Sequence, residues 1–112
     1  MMLLTLTSLP RRPIGFVIAK EHYPTLFDII DDVLSAVLRS VSKVARAVNQ
    51  ALSPNGLNLV QANGPGAQQS VAHFHVHVLP RKRDEDLKLN WGAKPGDPET
   101  IAAFAEKIGS RL

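Results

Sequence analysis

The chain contains no cysteine. Disulfide bonds, cysteine-ligated zinc, iron–sulfur clusters and a cysteine nucleophile are therefore excluded, and any chemistry must come from other side chains. Internal repeats, low-complexity tracts and recognisable linkers are also missing from the sequence. With 112 residues, 45% of them hydrophobic, the chain fits one ordinary domain with a modest core. We therefore expect a single domain over residues 1–112.

No hydrophobic run is long enough to cross a membrane. The apolar residues 1–10 are much shorter than a membrane helix, and they lack the basic start and small-residue cleavage site of a signal peptide. We interpret them as a strand and expect a cytoplasmic protein with no membrane contact. The net charge is +3, and its basic clusters are short, so we assign them to solvated surface and do not expect nucleic-acid binding.

The apolar periodicity of the first half predicts strands followed by one long helix. Residues 15–19 are β-branched and apolar, which indicates a short buried strand with residues 3–9 as its expected partner. Thr25 and Asp28 have the spacing of a capping box, so we expect the helix to start directly after Pro24. Its apolar stripe is predicted to be Leu26, Ile30, Val33, Val37, Val41, Val44 and Val48.

The second half predicts two further strands and a closing helix. A turn cluster ends the long helix and leads to a strand over residues 57–62. The clearest strand covers residues 70–79, and Pro80 is expected to stop it. Asp97 followed by Pro98 predicts the N-cap and first residue of the closing helix. Together these elements predict an α+β fold of two layers, a mostly antiparallel sheet packed with one long helix and a C-terminal helix.

Three of the four histidines alternate along the strand over residues 70–79, and three interpretations of them stand side by side. In a regular strand, which rises about 3.3 Å per residue, the Cα atoms of His73 and His77 lie roughly 13 Å apart. One zinc ion needs every ligating nitrogen within about 2.1 Å, so we expect no metal site. The histidines, with His75 between them, are then either half-exposed strand residues or a metal-free catalytic group. In the second case the nearby loop over residues 63–67 offers amides to an anion, and an imidazole accepts a phosphoryl group.

Residues 56–81 resemble the signature of the histidine triad (HIT) family. That signature is His-φ-His-φ-His-φ-φ, where φ is apolar, with Gln four residues upstream and Ser or Thr three residues upstream. Gln69 and Ser70 occupy the two upstream positions. Weaker similarity covers residues 20–28, KEHYPTLFD, and the tail around residues 90–97.

The resemblance implies a hydrolase of nucleotide phosphoanhydrides or phosphoramidates, and Pro80-Arg81 is most similar to the branch that cleaves dinucleoside polyphosphates. His75 would attack the α-phosphate and form a nucleotidyl-histidine intermediate, from which water releases a nucleoside monophosphate. His77 would contact the phosphate and assist proton transfer, while His73 would orient its neighbours. No metal or other cofactor is implied. The implied substrate-binding residues are Gln69, Ser70, Asn63, Gly64 and Asn58.

The resemblance further implies a homodimer. The sequence also departs from the family pattern at several positions. Family members usually begin with a further few tens of residues that include a strand pair, which this chain is expected to lack. The acidic residue that contacts the ribose falls at Leu6 or Ser8, and a fourth histidine falls at Ile14 or Phe16. His22 matches a family histidine that helps to end its segment, and we do not assign it a catalytic role.

These departures keep two other functions open. One is a catalytically weakened HIT module that binds a nucleotide or a protein partner. The other is removal of adenylate from nucleic-acid ends. The net positive charge favours this function, but the sequence shows no nucleic-acid module. Gln68 stands where many family members carry glycine, so we expect a tighter phosphate loop than usual.

Overall fold

The computed structural model describes residues 2–9, 12–69, 71–82 and 96–112. Within these ranges the chain forms the following elements: β1 Met2–Leu9, β2 Arg12–Ala19, α1 Asp31–Leu52, β3 Gly56–Val60, a 3₁₀ turn at Pro65–Ala67, β4 His75–Arg81 and α2 Pro98–Gly109. The predicted α+β fold class, with one long helix and a C-terminal helix, is confirmed.

The four strands form one antiparallel sheet in the order β1-β2-β4-β3. β1 pairs with β2 over its whole length, which confirms the pairing predicted for residues 3–9 and 15–19. β4 lies between β2 and β3, where His77 is opposite Phe16 on one side and Val60 on the other. Hydrogen-bond ladders on both sides therefore hold the backbone of the histidine strand.

The core lies between α1 and one face of the sheet. Alternation along β4 turns Val76 and Val78 into this core, joined by Phe74 directly before the strand, and leaves His75 and His77 on the opposite face. A one-residue slip would exchange the two faces, so burial of the apolar set also fixes the register of the histidines. The buried residues are Val17, Ala19, Ile29, Val37, Val41, Phe74, Val76 and Val78.

The long helix begins later than the sequence predicts. Thr25 and Asp28 do bond to each other, through Asp28 Oδ2 at 3.0 Å from the Thr25 amide and 2.6 Å from its hydroxyl, but they close a separate turn. The chain is extended again at Ile30, and α1 starts at Asp31. Leu26 and Ile30 therefore stand outside the apolar stripe, 40% and 55% exposed, while Val37 and Val41 are buried as predicted. Two acidic residues in the first turn favour the start of the helix at this point.

The histidine strand is also shifted toward the C-terminus. It runs from His75 to Arg81, so the predicted start at Ser70, a residue outside the described ranges, is wrong by several positions. Pro80 does not stop it. Pairing with β2 ends at Val78, and Pro80 lies where β4 pairs with β3 alone, so its missing N–H is tolerated as on an edge strand.

The closing helix begins as the sequence predicts. The Asp97 carboxylate accepts hydrogen bonds from the amide and hydroxyl of Thr100, and Pro98 occupies the first turn. Ile101, Phe104 and Ile108 repeat at helical spacing on this helix, and each is more than half exposed. Among the described residues, neither this helix nor α1 has the length and hydropathy needed to cross a bilayer.

Candidate active site

His75 lies in β4 and is a buried residue, 8% exposed. Its Nδ1 is 2.7 Å from the backbone carbonyl oxygen of His73. A carbonyl oxygen only accepts hydrogen bonds, so Nδ1 carries the proton. In the neutral ring Nε2 then carries a lone pair and no proton, which is the state that a nucleophilic imidazole requires.

His77 places its Nε2 3.1 Å from Nε2 of His75. The two rings meet edge to face, with centroids 4.8 Å apart and planes at 69°. With both rings neutral, the assignment above makes His77 the donor and His75 the acceptor of this hydrogen bond. Burial, followed by the proximity of His75, lowers the pKa of His77 below its ordinary value of 6.5. His77 therefore favours the neutral form near pH 7.

His73 takes no part in this pair, because it precedes β4 and its ring lies elsewhere. Its Nε2 is 2.7 Å from the carbonyl oxygen of Ala19, and its Nδ1 is 3.4 Å from Nδ1 of His22. Its contribution to the pair is the backbone carbonyl that binds His75 Nδ1. In the described part of the chain, no three His, Asp or Glu side chains are grouped in a way that would hold a metal ion.

Gln69 bonds to backbone groups of three different segments. Its Oε1 accepts from the Gly64 amide at 2.7 Å, and its Nε2 donates to the carbonyl oxygens of Pro24 at 2.6 Å and Val71 at 3.1 Å. Both amide protons and one oxygen lone pair are thus engaged. The geometry makes Gln69 the residue that holds the loop before the histidines against the turn after β2. Substrate binding by its side chain stays a prediction.

Asn63 and Gly64 begin this loop and also bond within the protein. Asn63 Oδ1 accepts from the Leu26 amide and from Nε2 of Gln61, both at 2.7 Å, and its Nδ2 donates to Gln61 Oε1. Gly64 has φ of 85°, in the region that favours glycine, and its amide donates to Gln69. The Ala67 amide likewise bonds back to Gly64. The amides of Gly64 and Ala67 thus already donate hydrogen bonds within the loop. At these two positions the structure does not support the expectation that the loop amides bind an anion.

Comparison with known proteins identifies the family. The model of the HIT domain matches residues 3–84, most of the chain. The chain belongs to the HIT domain family. A relative named adenosine 5′-monophosphoramidase hnt1, from Schizosaccharomyces pombe, is 35% identical over 99 residues, which cover 88% of this chain and 71% of the relative.

Solved structures show the same HIT architecture. A HIT family protein from Bacillus subtilis superposes with a TM-score of 0.80 at 31% identity, over 88% of this chain and 72% of its own. A histidine triad nucleotide-binding protein from Candida albicans superposes with a TM-score of 0.76 at 31% identity, over 88% of this chain and 73% of its own. The family resemblance drawn from the histidine motif is therefore confirmed.

Two predicted substrate-binding residues of this HIT domain remain, Asn58 and Ser70. Asn58 in β3 is opposite Leu79, so the register puts it on the same sheet face as His75 and His77. It is partly buried, and its role in substrate binding stays a prediction. Ser70 lies outside the described residues.

The main feature that sequence reasoning missed is the segment over residues 19–26, which we name the support segment. Besides the contacts of Ala19 and Pro24 described above, its Tyr23 carbonyl oxygen accepts from the Phe74 amide at 2.6 Å. Its His22 ring touches His73. The similarity of residues 20–28 to the HIT family was a signal for this segment, but a linear motif does not show which backbone groups meet across 50 residues of chain.

Proposed function

We propose that this HIT domain is a nucleotide hydrolase that cleaves phosphoramidates or phosphoanhydrides at the α-phosphate and releases a nucleoside monophosphate. The observation that carries the proposal is the position of the ring protons in the pair formed by His75 and His77. The carbonyl of His73 holds the proton of His75 on Nδ1, so the lone pair on Nε2 faces the partner ring of His77. A neutral, oriented imidazole of this kind is a competent nucleophile without a metal.

The first half of the reaction forms a nucleotidyl-histidine. His75 Nε2 attacks the α-phosphorus, a P–N bond to the ring forms, and the bond from phosphorus to the leaving nitrogen or oxygen breaks. The hydrogen bond from Nδ1 to the His73 carbonyl stabilises the positive charge that develops on the ring. In the form of His77 that is protonated at both ring nitrogens, Nε2–H loses its acceptor as the lone pair is used, and it gives its proton to the departing group, which leaves His77 neutral.

The second half restores the enzyme. Water attacks the phosphorus of the intermediate, and the ring nitrogen that formed the bond leaves with its electron pair. The proton lost by the water goes to His77, which returns the pair to its starting state. The lowered pKa of His77 makes its imidazolium form a stronger acid toward the departing group, and its neutral form then accepts the proton of the attacking water.

Two substrate classes fit this chemistry, and we place phosphoramidates first. The relative from Schizosaccharomyces pombe, 35% identical, is named an adenosine 5′-monophosphoramidase. Dinucleoside polyphosphates remain the second class, since Pro80-Arg81 is similar to the branch that cleaves them. In either class the predicted contacts to the nucleotide are Gln69, Ser70, Asn63, Gly64 and Asn58.

The alternative is a HIT module that binds a nucleotide without cleaving it. The observation that favours it is the composition of the early strands, where Leu6 or Ser8 replaces the family's ribose-binding acid and Ile14 or Phe16 replaces its fourth histidine. The pairing of Phe16 with His77 places an apolar residue in the strand next to the pair. Loss of that histidine would lower turnover and leave binding less affected.

The test measures adenosine monophosphate release from an adenosine phosphoramidate and from a diadenosine polyphosphate, with chelator present. We expect the parent to release it and His75→Ala to be inactive, while Arg46→Ala, on the exposed face of α1, keeps the parental rate. The substrate that turns over faster identifies the class. An inactive parent that still binds the monophosphate would overturn hydrolysis and favour the binding module.

We also propose that the protein is a homodimer. Ile101, Phe104 and Ile108 form an exposed apolar face on α2 that a second copy would cover, which supports the proposal. Light scattering after gel filtration measures the mass directly, and a monomer at micromolar concentration would contradict it.

A further inference from the structure

The His22 ring is in contact with the His73 ring, although 51 positions separate the two residues. The Nδ1 atoms are 3.4 Å apart, and the rings meet edge to face with centroids 5.2 Å apart and planes at 78°. The mechanism above does not use His22. The contact is long for a hydrogen bond. Which ring donates and which accepts is determined by the hydrogen bond at the other end of the His73 ring.

That other end is His73 Nε2, 2.7 Å from the carbonyl oxygen of Ala19. The oxygen only accepts, so Nε2 carries the proton and the neutral His73 ring has a lone pair on Nδ1. Two Nδ1 lone pairs facing each other would repel. His22 must therefore carry a proton on its Nδ1 and donate it to His73.

His73 is the residue whose carbonyl sets the proton of His75. The peptide unit between His73 and Phe74 is held at both ends, since its N–H donates to the Tyr23 carbonyl oxygen at 2.6 Å and its C=O accepts from His75 Nδ1 at 2.7 Å. His22 and Tyr23 are adjacent, so one short piece of the support segment holds both the ring and the peptide of His73.

We propose that His22 is a positioning residue, which donates to His73 and thereby keeps the His73 carbonyl in place to hold the proton of His75 on Nδ1. Without this donor, the His73 ring loses one of its two anchors and its carbonyl is less constrained. His75 then spends more time in the tautomer with the proton on Nε2, which does not attack phosphorus. This role rests on the proposed hydrolysis, but the tautomer itself is measured without any substrate.

His22 is exposed, so its replacement removes little buried apolar surface and little stability is expected to be lost. Its effect should instead appear on the chemical step. One neutral hydrogen bond corresponds to a factor of about five in rate, or about 1 kcal/mol. We expect kcat to fall about three- to tenfold in His22→Leu, with KM within about twofold of the parent.

The experiment compares His22→Leu, which has no donor, with His22→Asn, whose Nδ2–H lies near the position of the histidine Nδ1–H. Arg46→Gln, on the exposed face of α1, is the control. ¹⁵N NMR of the imidazole nitrogens reads the tautomers of His22, His73 and His75, and steady-state kinetics on the phosphoramidate gives kcat and KM. We expect His22→Asn and Arg46→Gln to keep the parental His75 tautomer and a kcat within twofold.

Several results would overturn the role of His22. One is a parental spectrum in which Nδ1 of His22 carries no proton, or in which the proton of a neutral His73 is on Nδ1; this needs no variant. Another is a His22→Leu protein with the parental His75 tautomer and kcat. If the parent cleaves no nucleotide, the proposed hydrolysis fails, and the tautomers in parent, His22→Leu and His22→Asn still decide whether His22 positions the pair.

Discussion

Replacing Gln69 by glutamate should loosen the attachment of the loop before the histidines to the support segment. The substitution changes one NH₂ group to an oxygen and keeps the size of the side chain. The bond from the Gly64 amide survives, because an oxygen still accepts it. The bonds donated to Pro24 at 2.6 Å and to Val71 at 3.1 Å are lost, and a carboxylate oxygen faces two carbonyl oxygens in their place.

The expected cost follows from these three contacts. Two lost hydrogen bonds contribute about 1 kcal/mol each, and the partly buried Pro24 carbonyl, which loses this donor, raises the total to about 2–3 kcal/mol. The exposed Val71 carbonyl still accepts from the His73 amide at 2.8 Å. Repulsion from the carbonyl oxygens also raises the folded pKa of the new carboxyl group. The variant is therefore least impaired at low pH and loses stability as the pH rises through that folded pKa.

The assay is urea unfolding at pH 5 and pH 7, with Gln68→Glu as the matched control. Gln68 directly precedes Gln69, is exposed, and acquires the same charge, so its variant should stay within about 0.5 kcal/mol of the parent. Gln69→Glu with the stability of Gln68→Glu at pH 7 would refute the structural role of the amide. Equal losses at both pH values would refute the carboxylate–carbonyl repulsion.

Three further predictions concern the core, the loop and the histidine pair. Val37→Ala should lower the free energy of unfolding by about 2 kcal/mol in urea titration, because Val37 is 0% exposed; a loss below about 0.5 kcal/mol would contradict its place in the core. Gln68→Gly should raise the free energy of unfolding by about 0.5 kcal/mol, because Gln68 has φ of 62° and glycine adopts this region freely. A lower unfolding temperature than that of the parent would contradict this prediction. The lowered pKa of His77 should make stability highest above pH 6.5 and reduce it as the pH falls toward the folded pKa, since only the unfolded chain takes up the proton in that window. His77→Gln should reduce the change of stability with pH between pH 5 and 8. An unchanged dependence would mean that other groups cause it.

The family, the element types and the shared sheet face of His75 and His77 could be predicted from the sequence, whereas His73, expected on the same strand, lies before β4. Alternation of Phe74, Val76 and Val78 with the histidines has a period of two that only a strand accommodates, and the buried set then determines which face carries His75 and His77. The Asp97 cap is likewise local, because it needs only Thr100, three residues away.

The errors arose where distant groups compete with local signals. The capping-box spacing of Thr25 and Asp28 was real, but the two residues close a turn of their own, and α1 starts at Asp31 after an extended Ile30. Pro80 is an ordinary strand breaker, yet it continues β4 because pairing with β2 has already ended there.

The sequence by itself determined that this chain is a HIT domain with His75 and His77 on one face of a strand, because side-chain chemistry and strand period are properties of consecutive residues. Only the tertiary structure decided what each ring does. His73 leaves the strand and bonds to Ala19 and His22, while Gln69 and Asn63 bond to the turn after β2. The physical reason is that a tautomer is set by the nearest acceptor in space, and for His73 this acceptor lies 54 residues away along the chain.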